Sequence, residues 1–188
     1  AIDAKAHKIV RSYVIPNAEN YIATLVPSPD GSRVYVMTNK MHSVSGIDLG
    51  SGEEVFRADF PNDEVRHQAF FAMDVSPDGE EIFVYIMRTR IHPSSYEVLQ
   101  PVISVYRTGD GLGAEPVRTF EAPRRVHLLM MSGDGKSFYA MGFDFYRMNA
   151  RTGAIEETIP LRNWARKNAG IPDILAFWPL WEQTGVFS

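Results

Sequence analysis

Cysteine is missing altogether from this 188-residue chain. Its absence excludes disulfides, thiolate metal sites, a cysteine nucleophile and covalent c-type haem, which needs Cys-x-x-Cys-His. It fits an oxidising compartment as well as a reducing one. No apolar run approaches the roughly 18 residues of a membrane span, and no signal peptide is visible. Positive charge is not in excess either: 19 Lys and Arg face 23 Asp and Glu, for a net charge of −4. Nothing electrostatic therefore calls for nucleic acid or an anionic membrane.

Familiar catalytic signatures are equally scarce. There is no Gly-x-Ser-x-Gly elbow, P-loop or dinucleotide fingerprint. Gly109-x-Gly111-x-Gly113 opens no helix and reads as a turn. The five histidines are His7, His42, His67, His92 and His127. None has a second histidine at i+2 or i+4, so none shows metal-ligand spacing. The pairs Glu53-Glu54, Glu80-Glu81 and Glu156-Glu157 follow turns and read as solvated edge charges. Trp164, Trp178 and Trp181 read as packing or interface residues, because a cysteine-linked tryptophan quinone is impossible here. These observations point to no catalytic residue, no cofactor-binding residue and no metal ligand in this chain.

What the chain does contain is enough apolar material for a core, 45% hydrophobic against 22% charged, arranged in a repeat. A hydrophobic residue enters a tight polar turn four times, anchored on Ile2, Ile47, Tyr106 and Met148. A second marker runs in step: Ser28-Pro29-Asp30-Gly31, Ser76-Pro77-Asp78-Gly79 and Ser132-Gly133-Asp134-Gly135. Asp-Gly between apolar runs is a strong hairpin signal. The runs that follow, such as Ile82-Phe83-Val84-Tyr85-Ile86-Met87, are continuously apolar, as strands buried on both faces must be. A period of about 40–45 residues with four strands per unit is the signature of a β-propeller blade.

The predicted fold is all-β, a propeller of four-stranded antiparallel blades covering about half of a seven-bladed ring. Residues 1–16 would end one blade. Residues 20–60, 68–121 and 125–160 would form full blades, and 172–188 would start another. Strands are predicted near 21–26, 33–38, 43–48 and 53–60, then 69–75, 81–87, 101–107 and 116–120, then 126–131, 137–141, 144–149 and 154–160. Such a set cannot close a ring, so the residues are expected to belong to a longer chain.

Two excursions, Arg88 to Gln100 and Leu161 to Ile171, read as long loops on one face of the ring, which makes that face the candidate docking surface. Its predicted docking residues are Arg88, Arg90, His92, Tyr96, Arg162, Trp164 and Arg166, with Lys167 beside them. Arg, Tyr and Trp are the types enriched at interface hot spots. For any one of them the simpler reading is an ordinary solvated or packing residue.

Val34-Tyr35-Val36-Met37-Thr38-Asn39 resembles the broad bacterial propeller families with a Tyr-Val-Thr-Asn motif. A tighter resemblance rests on Tyr96-Glu97-Val98-Leu99-Gln100-Pro101, Pro116-Val117-Arg118-Thr119-Phe120-Glu121-Ala122-Pro123-Arg124, Leu161-Arg162-Asn163-Trp164 and Pro172-Asp173-Ile174-Leu175-Ala176-Phe177-Trp178-Pro179. In this order and spacing they are similar to the β subunit of quinohemoprotein amine dehydrogenase. The resemblance implies a periplasmic complex that oxidatively deaminates primary amines. It also implies two partners, a small subunit with cysteine tryptophylquinone and a dihaem cytochrome c subunit. The propeller would seat the quinone subunit and help wall the amine pocket. The alternatives are a stand-alone cell-surface or secreted interaction propeller, and a propeller hydrolase with a metal in its channel.

Overall fold

The computed structural model describes residues 1–15, 22–38 and 40–160, and among them every regular element is a β-strand. A small two-stranded sheet pairs β1 (Ile2–Asp3) with β2 (Lys8–Ile9). The first full sheet holds β3 (Ile22–Pro27), β4 (Arg33–Thr38), β5 (Ser43–Asp48) and β6 (Glu54–Asp59) in sequential order. The second holds β7 (Val65–Val75), β8 (Glu81–His92), β10 (Val102–Arg107) and β11 (Arg118–Glu121), with β9 (Ser95–Val98) also paired to β8. The third holds β12 (Leu128–Met131), β13 (Ser137–Met141), β14 (Phe145–Asn149) and β15 (Ile155–Ile159). All pairings within these sheets are antiparallel. These are the blades of a β-propeller. Residues 161–188 lie outside the described residues, and with them the region predicted to open a further blade.

The continuous apolar runs are explained by what lies on either face. In β8, Ile82, Val84 and Ile86 pack towards the first blade, against Tyr35, Met37, Val44, Phe56 and Ala58. Their neighbours Phe83 and Tyr85 point the other way, into Leu129, Met131, Phe138, Ala140 and Met148 of the third blade. One strand thus serves two cores, because successive side chains alternate across a sheet. The first blade does the same: Val34, Val36 and Ile47 form a separate cluster with Ile15 and Leu49. Burying a side chain such as Phe83 or Phe138 contributes on the order of 1.5–3 kcal/mol.

Small residues permit this packing. An added Cβ at Gly46 would lie 2.8 Å from the Phe56 Cβ and 2.9 Å from the Tyr35 ring. Glycine in mid-strand costs some stability, but here it lets Tyr35 and Phe56 meet edge to face at 5.7 Å and 83°.

The repeated turns share one chemistry. In each Ser-x-Asp-Gly marker the serine hydroxyl donates to the aspartate two residues on: Ser28 to Asp30 at 2.6 Å, Ser76 to Asp78 at 2.5 Å and Ser132 to Asp134 at 2.7 Å. The same hydroxyl accepts a backbone N–H five residues on, from Arg33, Glu81 and Ser137. Glycine follows the aspartate with positive φ, 69° at Gly31, 77° at Gly79 and 68° at Gly135.

The other turn is equally uniform. Asp3, Asp48 and Asn149 each accept backbone N–H bonds from residues two or three positions on. Four residues after Asp3, Asp48, Arg107 and Asn149 the backbone turns left-handed, at His7 (52°), Gly52 (84°), Gly111 (75°) and Gly153 (71°).

Candidate docking face

The β3–β4, β5–β6 and equivalent turns gather at one end of the blades. The opposite end carries the β4–β5, β8–β10 and β13–β14 links and the inter-blade connections through residues 60–64 and 122–127. Here the structure corrects the sequence reading. Arg88 to Gln100 is not a loop. β8 runs on to His92, turns through Pro93-Ser94 and returns as β9, while β7 begins at Val65 and flanks β8 on its other side. Together they make a three-stranded extension of the second blade. Its polar residues alternate along strands that neither of the other described blades covers, so the pattern resembles a loop when read without pairing partners.

Registers divide this extension into two faces. Val65 pairs with Arg90, which pairs with Glu97; His67 pairs with Arg88; His92 pairs with Ser95. These residues continue the side of Ile82, Val84 and Ile86. Arg66 pairs with Thr89, which pairs with Val98; Gln68 pairs with Met87; Ile91 pairs with Tyr96. This second set continues the side of Phe83 and Tyr85, towards the third blade.

The first face satisfies itself. Arg90 forms an ion pair with Glu97 at 2.8 Å, and His92 lies 3.8 Å from the same carboxylate. The Arg88 Nε donates to the Gln100 carbonyl at 2.8 Å, and His67 Nδ1 lies 2.9 Å from the Val65 carbonyl. The second face is apolar and open: Ile91 is 47% exposed, Tyr96 74% and Val98 50%. Arg66 stands exposed on it and forms no ion pair among the described residues.

The extension is anchored to the connection between the second and third blades. Gln100 Nε2 donates to the Ala122 carbonyl at 2.7 Å. Burial raises the pKa of the Tyr85 hydroxyl, and hydrogen bonds from the Val126 and Arg125 backbone partly oppose the rise. Arg125 adopts φ 59°. Gly142 makes room for it, since a Cβ there would lie 2.7 Å from the Arg125 carbonyl oxygen. The Arg125 guanidinium then sits 5.0 Å from the ring centre of Phe143, which is 56% exposed. Burial and the nearby Arg125 charge lower the pKa of His127.

Of the predicted docking residues, Arg88, Arg90 and His92 lie on the self-paired face and Tyr96 on the open one. Arg162, Trp164 and Arg166, with Lys167, lie outside the described residues. Sequence reasoning missed Arg66, Ile91, Val98, Arg125 and Phe143; the alternation of Thr89 and Ile91 with Arg88, Arg90 and His92 was the signal for Ile91. At the other end of the blades, Asp78, Glu80, Glu81, Arg107, Thr108 and Asp110 line a shallow cleft of about 410 Å³. Glu81 there is held by Arg118 through two bonds of 2.6 Å. No group of three or more His, Asp or Glu suited to a metal ion occurs among the described residues.

No protein-family model and no curated protein matches the chain. Solved structures do match in fold. A chain of the Kuenenia stuttgartiensis hydrazine synthase structure superposes with a TM-score of 0.61 at 19% identity, over 84% of this chain and 41% of that one. The RRP9 WD40 repeats give 0.54 at 18% identity, over 81% and 41%. U3-55K gives 0.54 at 18% identity, over 81% and 42%. The chain therefore spans about two-fifths of the length of each of these three structures.

Proposed function

We propose that the chain is a non-catalytic propeller scaffold subunit of a periplasmic quinohemoprotein amine dehydrogenase complex. In that role it would represent about half of a seven-bladed ring. It would seat the small quinone-bearing subunit and help enclose the primary amine. The observation that carries the proposal is the order of the resembling segments along the chain. Tyr96–Pro101 falls on the protruding hairpin and its return. Pro116–Arg124 falls on β11 and the connection to the third blade. The first stands at the extension's end of the propeller, and the second runs along β11 from the opposite end to reach it at Ala122–Arg124.

A chain without cysteine can hold neither a covalent c-type haem nor a cysteine-linked quinone, so in this reading both groups reside on partners. The two-electron oxidation of the amine would be their chemistry. This chain would supply shape, water exclusion and orientation. Purification of the full-length chain from its native host tests the reading. A stoichiometric haem-containing partner and amine-dependent dye reduction are expected. A full-length chain that purifies alone, without haem or amine oxidation, would sink it.

The second reading is a stand-alone interaction propeller. The open apolar face around Tyr96 suits either reading, because a fold by itself does not set function.

A further inference from the structure

We infer that the partner docks on the apolar side of the extension and not on its arginine-rich side, and that the partner's contact surface is a protein patch with an apolar centre and an acidic border. The inference rests on the reading of this chain as an assembled scaffold, and it assigns the side and chemistry of the contact.

The two faces of this small sheet differ in what already occupies them. Arg88, Arg90 and His92 look like the binding residues in the sequence, yet each already has a partner within the extension. Engaging them elsewhere would first break those contacts. On the other side Ile91, Tyr96 and Val98 present large apolar surfaces with no described residue over them. A contiguous exposed patch of this kind on a rigid strand pair marks a contact site.

The charges beside the patch define its occupant. Arg66 stands on the same face, paired with Thr89 in register. Arg124 and Arg125 follow on the connection that Gln100 ties to the hairpin base, and Phe143 lies under Arg125. Arg66 and Arg124 are exposed and form no ion pair among the described residues. Two of the nearby carboxylates are drawn elsewhere: Glu97 faces the opposite side with Arg90, and Asp144 acts on the Tyr146 hydroxyl, whose pKa burial and this carboxylate raise. Glu64, exposed beside Ile91, is the acidic group at the patch edge. Three arginines, Arg66 and Arg124 without an ion pair among the described residues and Arg125 over Phe143, therefore outnumber the single Glu64 around an apolar centre that includes a tyrosine. Complementarity calls for carboxylates around an apolar patch. Nucleic acid is disfavoured by the net charge of −4 and by the branched aliphatic centre. A second copy of this face is disfavoured because its arginines would oppose one another.

The test uses the full-length chain in its native assembly, with a photocrosslinking phenylalanine analogue placed at Tyr96 or at His92 in turn. Position 96 should crosslink in high yield to one stoichiometric partner. The crosslinked peptide should carry apolar residues flanked by Asp or Glu. Position 92 should give little. The double variant Arg66→Glu/Arg124→Glu should weaken partner retention by roughly tenfold or more with an unchanged melting curve. Crosslinking from 92 but not 96, attachment to lipid, nucleic acid or another copy of this chain, or no crosslink from 96 in an intact assembly would each overturn the inference. If the partner carries neither quinone nor haem, the amine dehydrogenase reading falls while the docking side stands.

Discussion

The Asp74 carboxylate in the inner strand of the second blade accepts the backbone N–H of Met131 in the inner strand of the third, at 2.6 Å. Its other oxygen accepts the N–H of Val75 at 2.8 Å. A charged group thus joins two blades through backbone, where the buried Met131 amide has no strand neighbour on that side. Asp74→Ala should destabilise the full-length chain by about 1.5–3 kcal/mol, the range for a hydrogen bond to a charged group. Asp74→Asn should cost less, since its carbonyl still accepts. Urea unfolding measures both; equal midpoints for the wild type and Asp74→Ala would show that the contact contributes nothing.

Glycines at equivalent turn positions separate backbone strain from packing. Gly111 and Gly153 have nearly the same positive φ, 75° and 71°. A Cβ at Gly111 meets nothing within 4 Å, whereas one at Gly153 would run into the Phe120 ring. Gly111→Ala should therefore cost about 1–2 kcal/mol, the left-handed penalty alone. Gly153→Ala should cost more, because Phe120 must also move. Equal losses in thermal or urea melts would refute the packing part of this account.

The Ser-x-Asp turns should be read out by acid. The Ser28 hydroxyl, with the Ser32 backbone and hydroxyl, lowers Asp30 from 3.8 to about 2. Asp78 and Asp134 are lowered for the same first cause, the hydroxyls of Ser76 and Ser132. Each turn prefers the carboxylate, so its contribution is complete above the unfolded pKa and fades as pH falls through the folded one. For Asp30 that window lies between about pH 4 and pH 2. Ser28→Ala should raise the Asp30 pKa and narrow the window. NMR titration of the side-chain carboxyl carbons would decide, and an ordinary Asp30 pKa in the wild type would count against the hydroxyl as cause.

Truncating Tyr96 should separate binding from folding. Tyr96→Ala in the full-length chain should weaken association with its partner by about 2 kcal/mol if it is a hot spot. Its melting temperature should hold, because the ring is exposed and supports no core cluster. His92→Ala should change neither quantity by more than about 0.5 kcal/mol. Loss of fold and binding in parallel would make Tyr96 a structural residue.

Much of the architecture was legible because turn chemistry and strand burial repeat together. Ser-x-Asp-Gly places both a hydroxyl cap and a positive-φ residue between two apolar runs, and the predicted strands over 33–38, 43–48 and 137–141 coincide with β4, β5 and β13. The extension was not legible in the same way. Val65–Gln68 and Arg88–Val98 gain their strand character from pairing with one another, and no neighbouring blade imposes a continuous apolar run. The docking side was harder still. Arginine content draws attention to Arg88 and Arg90, and only the registers show that Glu97 and Gln100 already hold them.

Arg57 on the outer strand β6 exchanges backbone bonds with the next blade: its N–H donates to the Gly111 carbonyl, and its carbonyl accepts from Gly113 and Ala114. The rim of the first blade is thereby sealed by its neighbour's turn, which denies a foreign strand the template it would need. The Arg57 amide should then be released to deuterium only when the wedge between the two blades parts, and its protection should track that of the core amides of β8. Amides along β15, whose five residues are all exposed, should instead exchange by fraying in place, ahead of that of Arg57.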